Sequence, residues 1–243
     1  MSNQKIRKVA QEILTHHSVT FLTGAGVSTP SGVPDYRSLK GVYAGLEQPE
    51  YLLSTQAMEH EPEKFYSFVK KLYHPQAEPN IIHLEIAQLA TSKQVAVVSQ
   101  NIDGLHERAG SKQLVNFHGS LYHCHCRKCG EAVSWQTYLE SDRHQGCGGQ
   151  VRPNIVLYGE GFQQSTIEAA VSAVEQADVV VIVGTSFQVH PFCDLIEYRK
   201  KNSKIIVINQ TPILLSMEHS FIQEDGAKVF QKIHEMRINN DRV

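Results

Sequence analysis

Three stretches of this chain are too uniformly apolar to belong to a sheet with one wet face. Val95 to Ser99 (VAVVS), Asp178 to Val183 (DVVVIV) and Lys204 to Ile208 (KIIVI) are near-continuous β-branched runs. A strand that meets water on one side alternates apolar and polar residues; one covered on both sides does not. A shorter run, Ser18 to Thr23 (SVTFLT), ends at a glycine, and Gln113 to Phe117 reads as another short strand. Helical patterns separate them: Met1 to Thr15, Asn80 to Ala90, Ser165 to Gln176, Pro191 to Lys201 and Asp225 to Met236. Strand and helix in alternation predict an α/β fold, a doubly wound parallel Rossmann-like sheet with helices on both faces.

Two stretches interrupt that rhythm. Tyr43 to Leu72 is helical and aromatic with no strand inside it, and Leu121 to Arg152 carries four of the five cysteines with little periodicity. Both read as insertions able to pack together as a smaller second domain. A formal net charge of −2 argues against a nucleic-acid protein driven by bulk phosphate attraction. No apolar run approaches the roughly 18 residues of a membrane helix. The amphipathic first 15 residues do not read as a signal peptide, so a cytoplasmic location is expected.

After the first strand the chain reads Thr23-Gly24-Ala25-Gly26-Val27-Ser28-Thr29-Pro30-Ser31-Gly32-Val33-Pro34-Asp35-Tyr36-Arg37. Glycines behind a buried strand let backbone amides approach a pyrophosphate. A tight strand-to-helix turn accounts for the same residues. The loop departs from the hydride-carrier pattern, because Thr29 stands where a third glycine or alanine belongs. No strand ending in an acid follows about 20 residues on, which disfavours a dehydrogenase.

Two more polar clusters sit at strand ends. Gln100-Asn101-Ile102-Asp103-Gly104-Leu105-His106 follows VAVVS, and His118-Gly119-Ser120 follows the Gln113 strand. In a parallel sheet such ends face one crevice. Asp103 also suits a plain helix cap. Histidine is the natural base near neutral pH, although 13 histidines make any single one a weak choice without its strand-end position. Gly184-Thr185-Ser186 and Asn209 lie at two further strand ends, where ordinary turns would serve equally well.

Taken together these segments resemble the sirtuins. GAGVSTPSGVPDYR is similar to that family's phosphate and nicotinamide loop, QNIDGLH to its nicotinamide pocket, and FHGS to the segment bearing its catalytic histidine. RPNIVLYGE, from Arg152 to Glu160, resembles its peptide-pairing strand, and GTSFQVHP its adenosine-side motif. The likeness runs in order from about Gln11 to Ile233. It implies an NAD-consuming protein-lysine deacetylase that moves the acetyl group onto ADP-ribose and releases nicotinamide. His118 would be the base, with Asn101 and Asp103 also catalytic. NAD would be lined by Gly24, Ala25, Gly26, Ser28, Asp35, Tyr36, Arg37, Gln100, Ile102, Gly184, Thr185, Ser186 and Asn209. Val156, Tyr158, Gly159, Glu160 and Phe187 would border the acyl-lysine peptide.

The resemblance also divides the chain. Residues 1–37, 76–118 and 153–243 would form the NAD-binding domain, with 38–75 and 119–152 in the small one. Some positions depart from the family. Tyr36 replaces phenylalanine near the expected acyl end, and Ser99 replaces threonine. Val69, three residues after Tyr66, stands where members that remove acidic acyl groups carry arginine. A succinyl carboxylate would lack a partner there, which favours acetyl.

Cys126-Arg127-Lys128-Cys129 and His144-Gln145-Gly146-Cys147 are a CxxC and an HxxC pair with 14 residues between Cys129 and His144. The spacing fits a structural zinc held by Cys126, Cys129, His144 and Cys147. The family's usual set is four cysteines, so Cys124 in place of His144, or no metal, stays open. His123 and His125 read as exposed loop residues and Cys193 as a packed core thiol. Acyl-lysine proteins are the expected partners. ADP-ribosyl transfer, NAD hydrolysis, removal of longer acyl chains and a nucleotide-sensing module without catalysis are the competing functions.

Overall fold

The computed structural model describes residues 2–34 and 49–240. Asp35, Tyr36 and Arg37, expected to line NAD, lie outside the described residues. In chain order the elements are α1 (Ser2–Thr15), β1 (Ser18–Thr23), α2 (Pro49–Leu52), α3 (Thr55–His60), α4 (Pro62–Lys70), α5 (Ile81–Leu89) and β2 (Gln94–Ser99). Then come α6 (Leu105–Arg108), β3 (Gln113–Asn116), β4 (Gly119–Cys126), β5 (Ala132–Ser134), α7 (Trp135–Glu140) and β6 (Val151–Ile155). The last are α8 (Gln164–Glu175), β7 (Val179–Val183), β8 (Lys204–Asn209), β9 (Ser220–Gln223) and α9 (Gly226–Asn240).

Six strands form one parallel sheet in the order β3-β2-β1-β7-β8-β9. Numbered along the chain that is 3-2-1-4-5-6, the doubly wound order, and the winding reverses between β1 and β7. The absence of alternation in the three apolar runs now has its cause. Val179, Val181 and Val183 join Val19, Phe21, Ile206 and Ile208 in a core closed by α1, α5 and α9. Val180 and Ile182 join Leu22, Val98, Ile205 and Val207 in a core on the other face, closed by α8 and the Phe192–Tyr198 segment. Burying each such side chain stabilises the fold by about 1.5–3 kcal/mol relative to exposure.

The two insertions share a third core. Phe65, Phe68 and Val69 of α4 pack with Leu121, Cys124, Tyr138, Val151 and Ile155, beside the antiparallel sheet β5-β4-β6. Val69 is fully buried, and the Tyr66 hydroxyl donates to the carbonyls of Tyr138 and Leu139. Three sequence expectations are corrected. Pro191 to Lys201 is a 3-10 helix over Phe192–Tyr198, not an α-helix. His123 and His125 lie on β4, not in a loop, because that segment pairs with both β5 and β6. Cys193 is only partly buried, since its turn lies at the surface.

At the winding reversal, backbone meets backbone. The Gly24 amide donates to the Val183 carbonyl (3.2 Å) and the Gly26 amide to the Gly184 carbonyl (2.8 Å). A Cβ on Gly26 would lie 2.8 Å from the Gly184 Cα. Gly184 has φ of 63°, and a Cβ there would stand 2.6 Å from the Val27 nitrogen. Close packing of this kind resists added volume. Gly26→Ala is expected to lower stability by about 1–3 kcal/mol. Urea unfolding should show an earlier midpoint at unchanged slope; an unmoved midpoint would contradict the packing argument.

Candidate active site and metal centre

A cavity of about 900 Å³ opens at the C-terminal ends of the strands, over the β1–β7 reversal. It is lined by Ala25, Gly26 and Ser28 from the first loop, Gln100 to Asp103 from the second, and His118 from the third. Gly184, Thr185, Ser186 and Asn209 line it from the far side, and Val156, Tyr158, Gly159 and Glu160 from the segment after β6. The loops after β1, β2, β3, β7 and β8 thus converge because every strand end of a parallel sheet points the same way. Gly24 sits at the base of the first loop, bonded to Val183. Phe187 does not line the cavity: it has φ of 54° and is buried against Phe192 (6.0 Å between rings).

His118 has a defined polarity. Its Nδ1 lies 3.0 Å from the Gln100 carbonyl oxygen, which can only accept, so Nδ1 carries the hydrogen and Nε2 is the basic atom. Burial beside Phe117, Phe162 and Phe192 disfavours the imidazolium and lowers its pKa, a push the Gln100 carbonyl partly opposes. The result is a histidine held neutral with a free lone pair.

The second loop builds a polar cradle around Ser28. The Ser28 hydroxyl donates to Asp103 Oδ2 (2.6 Å) and accepts from Asn101 Nδ2 (3.0 Å). Asn101 also donates to the Gly24 carbonyl (3.1 Å). Asp103 serves both readings of it: Oδ1 accepts from the Leu105 amide (2.9 Å) at the start of α6 while Oδ2 holds Ser28. Burial raises the Asp103 carboxyl, against the pull of the Ser28 and Leu105 hydrogen bonds. Gln100 Oε1 accepts from the Thr185 hydroxyl (2.8 Å), joining the second loop to the fourth.

Beneath the cradle lie two buried histidines to which the sequence assigned no role. His83 Nδ1 accepts from the Asn80 amide (3.3 Å), so its Nε2 carries the hydrogen and points at Ser28 Oγ, 3.5 Å away. His106 Nε2 lies 3.1 Å from Thr23 Oγ1, which itself donates to Ser99 Oγ (2.9 Å), and its Nδ1 is buried with no partner among the described residues. An unpaired acceptor is the less costly arrangement, which makes Nε2 the donor here too. The two rings meet edge to face at 4.6 Å. Desolvation lowers His83 to about 4 and His106 well below the usual histidine range. The signal for His83 was present in the Asn80-x-x-His83 spacing of a capping box at the start of α5, but it reads as helix chemistry.

The cavity edge after β6 is tied down on both sides. The Val156 amide donates to the His118 carbonyl (3.0 Å), and the Tyr158 amide to the Leu53 carbonyl (2.9 Å). The Glu160 carboxylate is engaged by Arg152 and the Leu157 amide (2.9 Å). Burial pushes its carboxyl up, but those hydrogen bonds outweigh it and hold it below the ordinary range. Tyr158, by contrast, is about half exposed at 51%.

The metal ligands predicted from spacing converge. Cys126, Cys129, His144 and Cys147 offer donor atoms all within 4.8 Å of one another. Cys126 and Cys147 sulfurs are 3.5 Å apart, Cys147 and Cys129 3.6 Å, and His144 Nδ1 lies 3.4 and 3.3 Å from Cys129 and Cys147. Zinc bond lengths give tetrahedral edges of about 3.5–3.8 Å for such donors, so this set fits the ion. His144 Nε2 lies 3.6 Å from the Glu131 carboxylate, the outer partner a ligating imidazole commonly has. Gly149 has no room for a side chain, as its Cβ would fall 2.6 Å from the Cys126 sulfur. Cys124 points away, buried 3.6 Å from the Tyr73 hydroxyl, and this separates it from the ligand set.

A doubly wound nucleotide fold with a neutral histidine in its switch-point cavity and a four-donor metal knot alongside defines a class of nucleotide-dependent enzyme. The sequence profile of the Sir2 family matches residues 24–191, and the chain belongs to that family. An NAD-dependent protein deacetylase of Enterococcus faecalis is 58% identical over 221 residues, covering 91% of this chain and 93% of its own. One from Listeria monocytogenes is 51% identical over 229 residues, covering 94% and 100%. Among solved structures, a Sir2 chain with p53 peptide and NAD+ superposes with TM-score 0.82 at 29% identity, covering 95% of this chain and 98% of its own. Another, with deacetylated p53 peptide and 3′-O-acetyl ADP ribose, gives 0.83 at 28% identity, covering 95% and 98%.

Two outcomes are expected. Because His83 and His106 are neutral when folded and protonate when unfolded, the unfolded state binds more protons below pH 6.5. Stability should therefore fall as pH drops from 6.5 through about 4, His83 alone contributing about 2–4 kcal/mol. His83→Gln, which keeps a donor near Nε2, should flatten that decline; a curve as steep as wild type would exclude His83 as its source. Metal analysis should find close to one zinc per chain, and His144→Ala should lose it to a chelator faster than Cys124→Ala. Equal retention in the two variants would refute the assignment of His144.

Proposed function

We propose that this protein is an NAD-dependent protein-lysine deacetylase: it takes the acetyl group from an acetyl-lysine side chain, transfers it to ADP-ribose and releases nicotinamide and free lysine. The observation that carries this reading is the orientation of His118, whose Nε2 is basic while Nδ1 is committed to the Gln100 carbonyl. Such a base accepts a proton from a substrate ribose hydroxyl without first having to lose one. Asn101, Asp103 and Ser28 suit the nicotinamide carboxamide: they form a rigid hydrogen-bonding cradle in the same cavity. The Ala25–Gly26 turn and the Gly184–Thr185–Ser186 and Asn209 side, which line the same cavity, suit the diphosphate and adenosine. Half-exposed Tyr158 and the tied segment from Val156 to Glu160 suit an extended peptide entering from the small-domain side.

Acetyl is favoured over acidic acyl groups by Val69 and Tyr66. Val69 is fully buried and the Tyr66 hydroxyl is bonded to backbone carbonyls, so neither is placed to meet a carboxylate. The structural zinc, held by Cys126, Cys129, His144 and Cys147, supplies cross-linking of the small domain and no step of the reaction. We place the domain boundaries at 1–37, 76–118 and 153–243 for the NAD-binding domain, with 38–75 and 119–152 in the small one; the separate third core supports this division. A cytoplasmic location suits the five free cysteines, which a reducing compartment preserves. Among the described residues no helix is long and apolar enough to cross a membrane.

Incubation with NAD and an acetyl-lysine peptide should release nicotinamide only when the peptide is present, with acetyl recovered on ADP-ribose. Release without peptide would instead indicate NAD hydrolysis. His118→Ala should lower kcat by roughly 10²–10⁴-fold. The neutral form of His118 is the active one and burial lowers its pKa. Activity should therefore persist below pH 6.5 and fall only as pH drops through the lowered value. A limb centred above pH 6.5 in kcat/KM would contradict His118 as the base.

A further inference from the structure

Apart from the four-donor knot, the described residues gather one more set of metal-ligating atoms, at the rim of the cleft. His190 precedes Pro191, the N-cap of the 3-10 helix Phe192–Tyr198, and Cys193 and Asp194 stand in that helix's first turn, with one ligand atom of each within 4.8 Å of the others. The His190 Nδ1 lies 2.9 and 2.8 Å from the two Asp194 carboxylate oxygens. The Cys193 sulfur lies 3.5 Å from that Nδ1 and 3.8 Å from Asp194 Oδ1. We propose that these three side chains form a second, solvent-open site for a divalent transition cation, Zn2+ above all.

The donor set selects the ion. One thiolate, one imidazole and one carboxylate suit zinc and its neighbours, whereas magnesium and calcium require oxygen donors throughout. Three protein donors with a fourth position open to water are the pattern of an exchangeable site, unlike the closed four-donor knot. The sulfur edges of the triangle are near the roughly 3.5–3.6 Å of a zinc tetrahedron with these donors. The nitrogen–oxygen edge is shorter because a proton now lies between them, and the ion would take that proton's place. The imidazole keeps one hydrogen by moving it to Nε2, and the Cys193 S–H proton leaves to solvent, one proton per ion bound.

A surface His–Asp pair needs no thiol beside it. What sets this place apart is a sulfur within reach of both partners at once. The side chains of His190 and Asp194 are 74% and 51% exposed, so an ion can enter without rearrangement of the fold. His190 also lines the main cavity, while Cys193 borders a smaller hollow of about 300 Å³ behind it. The ion would sit on the ridge between the two.

The test is a Zn2+ titration of the intact protein after gel filtration, with bound metal counted by elemental analysis following dialysis. One further equivalent per chain is expected beyond that retained through the column. Cys193→Ser and Asp194→Asn should each weaken this further equivalent by roughly tenfold or more and leave the retained metal unchanged. Co2+ added in place of Zn2+ should give thiolate-to-metal charge-transfer absorption that Cys193→Ser abolishes. No further equivalent in wild type, or one whose affinity is the same in both variants, would overturn the proposal.

Discussion

The site depends on the contact of two loop backbones at the reversal of the sheet. The Gly24 and Gly26 amides donate to the Val183 and Gly184 carbonyls, at a separation no side chain on Gly26 or Gly184 would permit. This closure brings Ser28 to Asn101 and Asp103, and Thr185 to Gln100. The glycines therefore let the first and fourth loops touch, in a stretch that a reading confined to the motif assigns wholly to the ligand.

Burial then decides which groups carry charge. Desolvation keeps His118, His83 and His106 neutral and raises Asp103. Neutral imidazoles have a donor end and an acceptor end, and in His118 and His83 the neighbour of one nitrogen fixes the role of the other. For His118 the Gln100 carbonyl takes the Nδ1 hydrogen and leaves Nε2 as the basic nitrogen. For His83 the Asn80 amide turns Nε2–H toward Ser28. A cavity built this way is preorganised, so little rearrangement is needed when charge develops in the substrate.

The small sheet and the aromatic helices hold the other wall. Arg152 and Glu160 pair beneath the segment after β6, and Tyr158 bridges to Leu53 and Thr55 of the helical insertion. The donor knot lies at the far end of β4 from His118 and Gly119, where Cys126 ends the strand. Cys126 illustrates the local electrostatics there: burial pushes its thiol up, but the amides of Cys129 and Lys128 draw it down, favouring the thiolate a metal needs.

Residue order alone determined the parallel sheet, the strand-end clusters and the spacing of the metal donors. Unalternating β-branched runs have few structural solutions, and CxxC with HxxC constrains an ion locally. The Gly24 loop, Asn101, Asp103 and His118 were legible for the same reason: each stands immediately after a strand whose end must face the crevice. Only the tertiary structure decided the rest. It put His83 and His106 under Ser28, gave Glu160 to Arg152, turned Phe187 into the core and grouped His144 rather than Cys124 with the other three donor residues. It also left Cys193 within reach of His190 and Asp194. Those outcomes rest on packing between segments distant in sequence and on the direction each side chain takes from its backbone, neither of which residue spacing encodes.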